Sequence, residues 1–123
     1  MLPKPIDSAI IYEDKKLYAC LANFPIVKGH SVVVWKKKVS DLHLLSKKDY
    51  EYLMGIINSV RNAMLKTLKI EKVYLIYMDE AKQVHWHLVP RYKKKGIKNL
   101  TNSPGKIKDF KLDDEIRKNL KIK

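Results

Sequence analysis

Hydrophobic and polar positions follow two rhythms along this chain. In the first third, apolar residues come in short runs. Residues 9–13 and 17–21 are two such runs on either side of Asp14-Lys15-Lys16, which predicts a hairpin. Residues 23–29 contain Pro25 and lead into Gly29-His30, a loop. Residues 31–35, Ser-Val-Val-Val-Trp, are β-branched and closed by Lys36-Lys37-Lys38, a strand with a solvated end. The rhythm then changes. Tyr50, Leu53, Met54, Ile57, Val60, Met64 and Leu68 recur at helical spacing and predict a helix over 47–69 with one face on a core. Ser46 and Asp49 have the spacing of a capping box, and Leu45 with Tyr50 that of a hydrophobic staple. Gly55 costs roughly 1 kcal/mol relative to Ala inside a helix, so close packing against it is expected.

Strand rhythm returns at 73–78, apolar on both faces and bounded by charge, which predicts a central strand. Residues 79–82 form a tight turn. A further strand over 84–89 should end at Pro90, which has no N–H for a ladder. Beyond Arg91 the chain turns polar, through Lys93-Lys94-Lys95-Gly96 and a turn at Asn102-Ser103-Pro104-Gly105. Leu112, Ile116 and Leu120 then have the spacing of a short amphipathic helix starting near Asp113. The order β-β-β-α-β-β predicts an α+β domain: a mainly antiparallel five-stranded sheet with the long helix on one face. Residues 1–92 would form the domain core. Residues 93–123 would be a Lys-rich C-terminal extension, packed on the same single domain or trailing it.

Composition narrows the setting. With 123 residues, of which 46% are hydrophobic, the chain is one globular domain. No apolar run is long enough for a bilayer, so no membrane association is expected. Met1 to Ile10 carries Pro3, Pro5 and Asp7 where a signal peptide needs an apolar core, which points to a cytoplasmic protein. The single Cys20 offers no internal disulfide and no zinc clip, consistent with a reducing compartment, and reads as core packing. The net charge of +13 comes almost wholly from Lys. It attracts polyanions, nucleic acid among them, or serves only solubility.

Chemistry concentrates at one strand. Alternate strand residues share a face, so Gln83, His85 and His87 point one way while Val84, Trp86 and Leu88 point toward the helix. Arg91 has the parity of the histidines and would add charge at the mouth of a site. Spacing alone leaves three readings open: two chance surface histidines, a metal site completed by His30, or phosphoryl transfer on an imidazole.

The longer string Gln83-Val84-His85-Trp86-His87-Leu88-Val89-Pro90-Arg91 resembles the signature of the histidine triad (HIT) superfamily. Upstream, Pro25-Ile26-Val27-Lys28-Gly29-His30-Ser31-Val32-Val33-Val34 is similar to that family's Pro-containing loop and Gly-His strand. The resemblance covers residues 9–92 and implies a HIT-like fold and a homodimer. It also implies a nucleotide hydrolase or nucleotidyltransferase whose middle histidine, here His85, attacks the α-phosphorus of a nucleotide or nucleotide conjugate. His87 and His30 match positions that contact the phosphate. Asn23 with Phe24, Pro25 and Ile26 would hold ribose and base, and Arg91 would line the mouth. No cofactor and no metal are implied. Gln83 replaces the first histidine of the triad. Its main-chain carbonyl can still hold the nucleophile, but its side chain has no exchangeable proton. The short approach 78–82 lacks the leaving-group element of dinucleoside polyphosphate hydrolases. It looks more like that of DNA-end repair or cap-scavenging members. Ala22 stands where a ribose-binding Asp or Asn is common. Alternatives are a basic nucleic-acid-binding or end-processing module, and a nucleotide-binding scaffold with weakened catalysis.

Overall fold

The computed structural model describes residues 9–105 and 111–122. Pro3, Pro5 and Asp7 lie outside the described residues. Strands β1 (Ile10–Glu13), β2 (Leu17–Leu21) and β3 (Ser31–Trp35) are followed by a single 3-10 turn, Leu42–Leu44, and the long helix α1 (Lys47–Leu68). Strands β4 (Lys72–Tyr77) and β5 (His85–Arg91), the short helix α2 (Ile97–Leu100) and helix α3 (Leu112–Asn119) complete the order. The five strands form one antiparallel sheet in the order β1-β2-β3-β5-β4. Among the described residues, no helix is long and apolar enough to cross a membrane.

Local chemistry sets the ends of these elements. Asp14 accepts from the backbone N–H groups of Lys16 and Leu17 and closes the first hairpin. The Ser46 hydroxyl accepts from the Asp49 N–H at 3.1 Å, as the capping pattern requires. Lys69 ends α1 in the left-handed conformation. Leu53, Ile56, Ile57, Val60, Ala63 and Met64 of α1 are buried against Leu17, Ala19 and Leu21 of β2, Val33 and Trp35 of β3, and Leu88 of β5. Among the described residues, this cluster is the core. Leu112 and Ile116 of α3 return the C-terminal segment to the same core.

Several expectations are corrected. Residues 73–78 do not form a central strand: β4 is an edge, and β5 inserts between it and β3. Its two-faced apolarity has another cause. Val73 faces the core, while Tyr74 on the opposite face receives the Gly96 N–H of the extension on its hydroxyl. Pro90 does not end its strand. β3 pairs with β5 only as far as Ser31↔Leu88, and β4 continues past Pro90 to Arg91. The missing N–H therefore falls on the side that β3 has already left. There the Pro90 carbonyl accepts from the Asn99 side chain at 2.9 Å. Gly55 is exposed, and a Cβ there would meet nothing within 4 Å. Close packing is not its role. Cys20 is buried, but on the sheet face away from α1 and outside the core cluster.

Candidate active site

Strand parity assembles the site. Tyr18 and Cys20 of β2, Val32 and Val34 of β3, and His85 and His87 of β5 all face away from α1 and line one pocket. The register places Val34 beside both Tyr18 and His85, and Val32 beside both Cys20 and His87. Ala22, Asn23, Phe24 and His30 close the pocket at one end. Its walls are mainly apolar, with the imidazoles clustered at one corner. The His30 and His87 rings lie 5.2 Å apart and the His85 and His87 rings 5.1 Å apart. A second, wider groove runs between α1 and the chain end, lined by Gly55, Ser59, Asn62 and Asn119. It lies across the sheet from the imidazoles and contains none of them.

Backbone groups of fixed polarity determine the ring tautomers. A main-chain N–H only donates and a carbonyl only accepts. His85 Nδ1 lies 2.8 Å from the Gln83 carbonyl oxygen, so Nδ1 carries the hydrogen and Nε2 carries a lone pair. The Ile26 N–H donates to His30 Nδ1 at 3.3 Å, so the hydrogen of neutral His30 is on Nε2. That nitrogen lies 2.9 Å from His87 Nδ1 and donates to it. The hydrogen of His87 is thereby left on Nε2. One rigid strand thus presents a nucleophilic nitrogen on His85 and an N–H donor on His87. Burial, reinforced by the neighbouring His87, lowers the His30 pKa to about 4. Burial, with His85 adding to it, lowers that of His87 as well. Both rings are therefore neutral near pH 7, as this tautomer chain requires.

The other expected site residues are more dispersed. Gln83 precedes β5, next to Lys82 in a left-handed turn with φ 54, and does not line the pocket. Its side-chain amide donates to the Trp35 carbonyl at 2.9 Å, away from the pocket lining. Arg91 keeps the parity of the histidines but lies four residues on, roughly 13 Å along the strand. It pairs with Glu71 at 3.4 Å and does not line the pocket. Pro25 and Ile26 do not line the pocket, and Ile26 reaches His30 through its backbone N–H. Tyr18, Cys20, Val32 and Val34 also line the pocket, beyond the expected site residues. Their even-numbered alternation opposite the core residues is the signal in the sequence that marks them. Among the described residues, no group of three or more His, Cys, Asp or Glu side chains is placed to hold a metal ion.

Comparison with known proteins agrees with this geometry. The model of the HIT domain matches residues 4–94. An uncharacterized HIT-like protein of Mesomycoplasma hyorhinis is 32% identical over 93 residues, which are 71% of this chain and 84% of that protein. A HIT-like protein from Bartonella henselae, described as involved in cell-cycle regulation, superposes with a TM-score of 0.76 at 20% identity, over 94% of this chain and 88% of that one. A hypothetical histidine triad nucleotide-binding protein from Sulfolobus tokodaii superposes with a TM-score of 0.74 at 19% identity, over 90% of this chain and 82% of that one. At such identities the two structures speak for the fold alone. With its fold, its histidine pair and the matched domain in agreement, this chain belongs to the HIT family.

Proposed function

We propose that the protein is a nucleotide hydrolase or nucleotidyltransferase that works through a covalent nucleotidyl-histidine on His85. The observation that carries this reading is the bond from His85 Nδ1 to the Gln83 carbonyl, which leaves Nε2 as a lone pair facing the apolar pocket. That lone pair attacks the α-phosphorus of a bound nucleotide. A P–N bond forms, and the bond from phosphorus to the leaving group breaks, its electron pair departing with that group. The His87 Nε2–H donates to a nonbridging oxygen as charge builds on it. Water, or another acceptor hydroxyl, then displaces His85 and loses its proton to solvent. The nucleotide product is released and the neutral imidazole restored. Phe24, Val32 and Val34 offer an apolar slot for the base, with Asn23 at its end.

Gln83 narrows the choice of leaving group. It has no proton to give, and its amide is committed to Trp35. Leaving groups stable without protonation, such as the phosphate of a phosphoanhydride, therefore suit the site better than amines. A polyanionic conjugate, including a nucleic-acid end, is a second reading, favoured by the exposed Lys93, Lys94, Lys95 and Lys98 beyond β5. Intact-protein mass spectrometry after incubation with adenylated and guanylated compounds tests the central reading. A nucleotide adduct is expected on the native chain and none on His85→Asn. An adduct that persists on His85→Asn would remove it.

A homodimer is part of the same proposal. The β1 edge is bulged between Ile10 and Tyr12. It is also capped by the Arg117 guanidinium, which donates to the Ile10 and Ile11 carbonyls. The β4 edge has no bulge, the Arg61 guanidinium donates to its Val73 carbonyl at 3.1 Å, and the run Val73-Tyr74-Leu75-Ile76-Tyr77 contains no charge. Such an edge is suited to pairing with a second copy of itself.

A further inference from the structure

The C-terminal extension does more than cover the sheet. From the end of β5, segment 92–105 crosses the histidine side of the molecule and holds the loop that precedes His30. The Tyr92 hydroxyl donates to the Lys28 carbonyl at 2.6 Å. The Gly105 N–H donates to the Pro25 carbonyl at 2.9 Å. Between these anchors the segment is tied down by Asn99, buried and bonded to Pro90, and by Asn102, which donates to the Asn99 carbonyl at 2.8 Å. Four consecutive loop residues are thus held from both sides. The outer carbonyls, of Pro25 and Lys28, accept from the extension. The inner groups serve His30: the Ile26 N–H donates to its ring, and the Val27 carbonyl accepts its backbone N–H at 3.1 Å.

The Pro25 carbonyl and the Ile26 N–H belong to one peptide unit. Hydrogen bonds on the two ends of a peptide polarise each other, and chains of them strengthen together. A continuous path therefore runs from the Gly105 N–H through the Pro25–Ile26 peptide to His30 Nδ1, and from His30 Nε2 to His87 Nδ1. It ends at the His87 Nε2–H in the pocket. The main-chain donor on His30 is also what excludes the other tautomer, since a ring with hydrogen on Nδ1 would set two donors against each other.

We propose that segment 92–105 is a positioning element of the active site: the Gly105 N–H orients the Pro25–Ile26 peptide, the Tyr92 hydroxyl anchors the same loop at the Lys28 carbonyl, and together they hold His30 and His87 in their working tautomers. The consequence for turnover rests on the reading of His87 as donor to the phosphate. The tautomer claim stands apart from it.

Gly105 permits a clean test. Gly105→Pro deletes the N–H. Gly105→Ala keeps it, and its Cβ would meet nothing nearer than the Pro25 oxygen at 3.9 Å. Tyr92→Phe deletes the second anchor. Imidazole 15N spectra at neutral pH should show His30 and His87 as pure Nε2–H tautomers in the native chain and in Gly105→Ala. Gly105→Pro should give mixed tautomers at both rings, and Tyr92→Phe a smaller change in the same direction. With the p-nitrophenyl ester of AMP as probe, kcat should fall about tenfold or more in Gly105→Pro, the scale of one lost transition-state hydrogen bond. KM should stay within about threefold, as expected for an interaction felt in the transition state. Pure tautomers in Gly105→Pro, or the same loss in Gly105→Ala as in Gly105→Pro, would overturn the proposal. If the native chain forms no adduct and never turns over the ester, the functional reading fails, and the spectra still decide the positioning claim.

Discussion

At the residue scale, the proposed working parts are two imidazoles whose tautomers are dictated by main-chain groups. Gln83 contributes to this through its carbonyl, which any residue supplies. Its side chain ties the turn before β5 to the end of β3. Gln83→Ala should therefore cost about 1 kcal/mol of stability, the value of one partly buried hydrogen bond. It should lower kcat by less than tenfold, or about 1.4 kcal/mol. Gln83→His should raise turnover of amine-leaving substrates more than that of phosphoanhydrides. Rates for the three variants on both substrate types check this, and no difference between the types would end the leaving-group argument. His30 makes a pH prediction. Its pKa is depressed from 6.5 to about 4 in the folded chain, so below 6.5 the unfolded chain binds the extra proton. Stability is thus fully present above pH 6.5 and is lost as pH falls from 6.5 toward 4. The loss is on the order of 3 kcal/mol for this group. Urea unfolding across that range should show the slope, and His30→Gln should flatten it.

At the element scale, the loop before β3 is the most constrained connection. Gly29 has φ 84, and a Cβ there would come within 2.9 Å of a Leu68 methyl at the end of α1. The methyl can move aside, but the left-handed backbone cannot relax while His30 keeps its place. Gly29→Ala should lower stability by about 1–2 kcal/mol and disturb the His30–His87 contact, visible as broadened imidazole resonances. At the other end of the molecule, the first hairpin is fastened to α1. Asp14 accepts from the hydroxyls of Tyr12 and Tyr52, and Lys16 pairs with Asp49 at 2.8 Å. These contacts hold β2, and with it Tyr18 and Cys20, against the helix that backs the pocket.

At the scale of the whole molecule, one sheet divides two tasks. The face toward α1 is the core, and the opposite face carries the candidate site, whose His30 loop is held by a segment from beyond the last strand. The proposed second copy belongs at the β4 edge, where Leu75 is 39% exposed and Met78 59% exposed. Leu75→Lys should convert a dimer to monomer in sedimentation at micromolar concentration with the fold retained. A native chain that is monomeric under the same conditions would remove the dimer without touching the family.

The elements themselves were legible in the residues. Helical spacing, the Ser46 cap and β-branched runs are local signals, and they mark α1 and the strands to within a residue or two of where they lie. Strand parity likewise put His85 and His87 on one face and Val84 and Leu88 on the core side. Parity did not bring Gln83 into the pocket lining, because its amide bonds to the Trp35 carbonyl. Arg91 is outside the lining for a different reason: sharing a face does not bring residues together when several strand steps separate them. Which strand sits at the edge, what His30 touches, and where Gly105 lands are long-range pairings. A Pro25 carbonyl looks the same in sequence whether or not a donor from eighty residues away reaches it. Local pattern determined the parts of this protein and their faces. Only the closing of the chain on itself, where non-local hydrogen bonds form, decided which of those parts became the site.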